Sequence, residues 1–158
     1  MLFYNLRKTG LALLWLTLLV ACTDQAKDAQ QAVGYLTEVP TWTLEQITVN
    51  DAVTFQDGKV QAQFGGIEFT RYMKKVTFGE NGNFTGYFVN DPKPFPLKWS
   101  IQADQILVGE ESDQNPERSW RIQPKDVNPN VFTMKIKSTA YDYPNLTQIT
   151  LKFRAAQK

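Results

Sequence analysis

From Trp42 onward, apolar and polar side chains alternate with a period of two, and this constrains the fold more than anything else in the chain. The alternation is plain in Val76-Thr77-Phe78, Phe84-Thr85-Gly86-Tyr87-Phe88 and Leu97-Lys98-Trp99-Ser100-Ile101. Further on, Phe132, Met134 and Ile136 share one face, with Thr133, Lys135 and Lys137 on the other. The last run turns Ile149, Leu151 and Phe153 one way and Thr150, Lys152 and Arg154 the other. Trp120 and Ile122 mark a short strand that Pro124 stops. No segment of this region carries a helical period of useful length, so the expected class is all-β.

The joins are short. Asp57-Gly58, between Thr54-Phe55-Gln56 and Val60-Gln61-Ala62, is a strong hairpin signal. The stretch Gly79-Glu80-Asn81-Gly82-Asn83 places glycine where a hairpin loop needs positive φ. Ala103-Asp104-Gln105 is a turn before Ile106-Leu107-Val108, and Tyr141-Asp142-Tyr143-Pro144-Asn145 reads as another. In the first strand the register slips between Leu44 and Ile47, which a bulge near Gln46 explains. Gly65-Gly66 predicts a break before Ile67-Glu68-Phe69. The count comes to about eight to ten short antiparallel strands. Closure into an up-and-down barrel buries their apolar faces and removes sheet edges together, with an open sandwich as the alternative.

Upstream lies a different kind of segment. Arg7 and Lys8 precede an apolar run over residues 11–20, and small residues follow. That is the pattern of a secretory signal peptide, and the run is too short to span a bilayer. Leu19-Val20-Ala21-Cys22 resembles a bacterial lipobox, and Cys22 is the only cysteine. The resemblance implies cleavage before Cys22 and lipid attachment there, palmitate among the acyl chains. Thr23 follows, where aspartate tends to mark inner-membrane retention, so an outer-membrane lipoprotein of the bacterial envelope is expected. Residues 1–21 are thus read as the cleaved signal, 22–40 as the lipidated cysteine with a flexible tether, and 41–158 as the barrel domain. Fully extended, residues 23–40 reach roughly 60 Å. Their Ala-rich middle has room for a turn or two of helix, too short to be stable alone.

From about residue 40 to 154 the pattern resembles the lipocalin-like lipoproteins of Bacteroidota-type bacteria. The resemblance is carried by Trp42, the hairpin over residues 78–84, Trp99-Ser100-Ile101-Gln102-Ala103-Asp104-Gln105-Ile106, Trp120-Arg121-Ile122 and Ile149-Thr150-Leu151-Lys152-Phe153. The family usually has glycine two residues before that tryptophan; here it is Pro40. The resemblance implies an apolar ligand cup, and a cation–π contact of Arg154 on Trp42 that closes the base. Phe55, Phe64, Phe78, Phe84, Phe88, Trp99, Trp120, Phe132 and Met134 are expected to fill a barrel of this size. Phe88, Trp99, Trp120 and Met134, near one mouth, are the expected ligand-lining set.

Composition excludes several function classes. Histidine is absent and cysteine is committed to lipid, so the usual transition-metal ligands and His-based catalysis are missing. Without residues 1–21, 17 − 2 = 15 basic residues face 16 acidic ones, which gives no charge excess for nucleic acid. Glu110, Glu111 and Asp113 lack the spacing and glycine of a calcium loop. Asn83-Phe84-Thr85 and Asn145-Leu146-Thr147 match glycosylation sequons, which carry no weight in a bacterial lipoprotein. No acidic pair stands out from loop chemistry, so no enzyme activity and no cofactor are expected. The expected function is a lipid-anchored module that binds a small apolar ligand. The alternative is an accessory subunit docking on a larger envelope protein complex.

Overall fold

The computed structural model describes residues 25–61, 72–112, 115–142 and 145–156. Helix α1 (Ala29–Glu38) is followed by β1 (Trp42–Val49), β2 (Ala52–Gln56), β3 (Lys59–Val60), β4 (Met73–Phe78) and β5 (Asn83–Phe88). Then come β6 (Pro94–Gln102), β7 (Gln105–Gly109), β8 (Trp120–Ile122), a 3-10 turn over Pro124–Asp126, β9 (Val131–Asp142) and β10 (Asn145–Ala155). Strands β4 to β10 pair in sequence order, all antiparallel, and β10 returns to β1. Because β1 also pairs with β4, eight strands form a closed ring, with β2 and β3 as two extra strands on β1. This is the up-and-down barrel the alternation predicts.

Local sequence explains the turns. Asp57 and Gly58 have φ of 49° and 84°, the left-handed pair of a tight hairpin, and Phe55 pairs with Val60 across it. Gly82 has φ of 81° in the β4–β5 loop, and the amide of Gly79 donates to the Asn83 carbonyl at 2.8 Å. The β6–β7 turn uses Ala103 and Asp104 at φ of 46° and 55°, with no glycine. The bulge falls on Glu45: Leu44 faces Phe153, while Gln46 faces Lys152. It lets Trp42 and Leu44 point inward before it and Ile47 and Val49 after it.

The interior is packed. Trp42, Phe84, Phe132 and Phe153 are fully buried. Phe132 is the hub: its ring lies 4.9 Å from Trp42, 5.0 Å from Phe153 and 5.4 Å from Phe78, and Phe78 meets Phe84 at 5.1 Å. A row of aliphatic side chains circles the wall beyond them, through Ile101, Ile106, Ile122, Met134, Leu151 and Ile47. Phe55 and Met134 take their expected core places. Phe64 and the Gly65-Gly66 break lie outside the described residues.

Two readings need correction. Residues 29–38, expected within a flexible tether, form a ten-residue helix packed on the barrel. Asp28 caps it by accepting from the Gln31 amide, and Ala29, Ala32 and Leu36 bury one face. A helix this short is marginal alone. The barrel stabilises it: burial of Leu36 contributes about 2 kcal/mol. The Trp42 indole donates to the Leu36 carbonyl at 3.0 Å, and Asp104 accepts from the Ala29 amide at 2.9 Å. The second correction concerns Arg154. It pairs with Thr43, not Trp42, and therefore points outward. There it engages Asp57 and Glu45, while Phe132 takes the place against Trp42.

Candidate ligand cleft at the barrel end opposite helix α1

The strands alternate in direction, so their connections alternate between two ends. One end carries the start of β1, the β6–β7 turn and the β8–β9 connection, and α1 lies there, linked through Trp42, Asp104 and Val127. Among the described residues no helix covers the other end, and in that sense it is uncapped. It carries the β1–β2 turn, the loop over residues 89–93 and the loop over residues 110–119.

At that uncapped end strand lengths are mismatched. Strand β8 has three residues, beside twelve in β9. Arg121 faces Lys135, so β9 runs on past Ile136 without β8 beside it. The gap forms a cleft of about 600 Å³. Ile136 gives it an apolar floor and the exposed Leu146 an apolar edge, and Glu117, Arg118, Arg121 and Lys137 give it a charged rim. Ser138 and Thr139 add hydroxyls. The loop end is ordered by Asn115, whose side chain accepts from the Glu117 amide at 2.9 Å. Its carbonyl accepts from the Arg118 amide at 3.0 Å and from the buried Ser119 hydroxyl at 3.0 Å. Among the described residues that line the cleft, Arg118, Arg121 and Lys137 are cationic and Glu117 is the one carboxylate, a balance that favours an anionic group over a neutral one.

The four residues expected to line a ligand site do not share one mouth. Trp99 faces Val108 and Val108 faces Trp120, so the two indoles flank one buried valine in a single row. Ile136 extends that row to the cleft floor. Trp99 is held by its indole N–H, which donates to the Gly79 carbonyl at 2.9 Å. Met134 sits one row deeper and is fully buried. Phe88 is elsewhere: the β5–β6 register puts Trp99 six positions from it, about 20 Å along the ladder. Phe88 packs on Phe95 at 5.4 Å and borders a groove of about 700 Å³ beside Lys74, Lys75 and Tyr87.

A third recess of about 690 Å³ lies where the barrel wall parts. Strand β4 pairs with β1 only at Trp42 and Thr43, and β2 takes over the same edge at Gln46. Leu44, Phe55 and Tyr72 form its floor, with Asp57, Lys74 and Arg154 around it. Sequence reasoning missed the cleft residues Arg118, Arg121, Lys137 and Leu146. Their only signal was the shortness of the Trp120-Arg121-Ile122 segment between two longer runs. Among the described residues no group of three or more His, Cys, Asp or Glu side chains is placed to hold a metal ion.

No protein-family model and no curated protein matches the chain. Among solved structures, bovine odorant binding protein in complex with a selenium-containing odorant aligns with 80% of this chain and 73% of its own, at 14% identity and a TM-score of 0.45. A deswapped triple mutant of bovine odorant binding protein aligns with 76% of this chain and 74% of its own, at 15% identity and a TM-score of 0.43.

Proposed function

We propose that this protein is a lipid-anchored binding module of the bacterial cell envelope, held through Cys22, which takes a small amphiphile into the cleft at its uncapped end. The observation that carries this reading is the cleft itself. Its floor continues the interior row of Trp99, Val108, Trp120 and Ile136, while the described residues of its rim are cationic on balance. A cleft of about 600 Å³ lies within the size range of small-molecule sites. The ligand chemistry that fits is an apolar body over Ile136 and Leu146, with an anionic end at Arg118, Arg121 and Lys137.

The test uses the Cys22→Ser chain made without residues 1–21 and a fluorescent fatty-acid analogue. One-to-one binding at micromolar concentration, weakened by Ile136→Asp, supports the reading. No binding, or binding indifferent to Ile136→Asp, overturns it. A second reading, docking on a larger envelope complex, draws on the rings packed around Phe132, which fill the part of the barrel interior beside Trp42. Co-purification of the native lipoprotein with stoichiometric envelope proteins supports that second reading, and recovery as a lone monomer removes it.

A further inference from the structure

The anchor proposed above, together with two hydrogen bonds, determines which end of the barrel faces the membrane. Ala26 is only 5% exposed, and its amide donates to the Val127 carbonyl at 2.9 Å. Three residues on, the Ala29 amide donates to Asp104 at 2.9 Å. The chain is therefore fastened to the barrel from Ala26 onward, at the end that α1 caps. Between Cys22 and Ala26 run four residue steps, which extend at most about 14 Å. The barrel is longer than that. Strand β9 covers twelve residues, and at a typical barrel tilt its ends are separated along the axis by roughly 28 Å.

We infer that the helix-capped end of the barrel lies against the leaflet holding the acyl chains of Cys22, and that the uncapped end with its cleft points away from it. This rests on the anchor reading. A 60 Å tether would let the barrel stand on either end; one of about 14 Å cannot let it stand on the uncapped rim, which would lift Ala26 roughly 28 Å from the lipid. Ligand then enters the cleft from the aqueous side, not from the anchoring leaflet.

The full-length lipidated protein, bound to the outside of phosphatidylethanolamine/phosphatidylglycerol vesicles that carry a headgroup quencher, tests this. With Cys22 acylated, a single introduced thiol takes the fluorophore: Lys125→Cys near the capped end, or Glu111→Cys in the loop at the other. Both positions are exposed. Emission at position 125 is expected to fall several-fold more than at 111. Inserting about 20 Gly/Ser residues between Asp24 and Gln25 adds a coil reach of roughly 25 Å. That insertion is expected to shrink the difference while the protein still floats with the vesicles. Equal quenching at both positions without the insertion, with flotation intact, overturns the orientation and leaves the anchor standing. A free Cys22 thiol by mass spectrometry with loss of flotation overturns the anchor reading, and the orientation with it.

Discussion

The two ends of this barrel are finished in different ways. At the capped end the aromatic hub of Trp42, Phe78, Phe132 and Phe153 fills the interior, and α1 seals it with polar atoms matched to Trp42 and Asp104. At the uncapped end β8 stops short, Leu146 stands 64% exposed, and charged side chains ring the gap. The contrast teaches where stability and recognition are placed. Among the described residues the fully buried rings of Trp42, Phe132 and Phe153 sit toward the capped end, so the other end can carry an incomplete wall without unfolding the whole.

Five variants probe that contrast. The largest effect is expected from Phe132→Ala, which removes the hub ring and leaves a cavity: about 3–5 kcal/mol of stability by denaturant titration. A loss no greater than that of Ile136→Ala would break the comparison. Leu36→Ala is expected to cost about 2–4 kcal/mol. It is also expected to speed amide hydrogen exchange across residues 29–38; unchanged exchange there would show that the helix does not depend on that contact.

At the uncapped end, replacing Arg121 and Lys137 by alanine together is expected to leave the denaturation midpoint nearly unmoved. Affinity for an anionic probe is expected to fall about tenfold, or 1.4 kcal/mol, and a neutral probe of the same shape is expected to bind as before. Ala103→Gly relieves a left-handed residue that carries a Cβ, and is expected to stabilise by up to about 1 kcal/mol. A lower melting temperature for that variant would show that Ala103 is held by more than the turn. Smallest of all, Arg154→Ala removes ion pairs to half-buried Glu45 and exposed Asp57, with a loss expected within about 1 kcal/mol. Trp42 emission is expected to stay unchanged; a shift would restore the stacking role that the outward register denies.

Much of the wall was legible in the sequence. The bulge beside Gln46, the Asp57-Gly58 hairpin, the positive φ at Gly82 and the inward set Ile149, Leu151 and Phe153 follow from neighbours a few residues apart. The candidate site was less legible. Trp99 and Trp120 belong to one row, yet Phe88 falls six positions away, because the β5–β6 connection pairs Tyr87 with Pro94 and leaves Trp99 far along β6. The helix was underread for a related reason. Ala29, Ala32 and Leu36 are too few apolar residues to announce a stable helix, and only the barrel end completes their burial.

The chain alone fixes which residues are strands and which face of each strand is apolar, because side-chain alternation is a property of the backbone that needs no partner. It also places the lone Cys22 behind a short apolar run. Tertiary structure decided the return of β10 to β1, the docking of α1, the outward turn of Arg154 and the cleft beside β8. Each of these depends on where distant segments meet, and long-range register is set by the sum of many weak side-chain contacts around the closed ring.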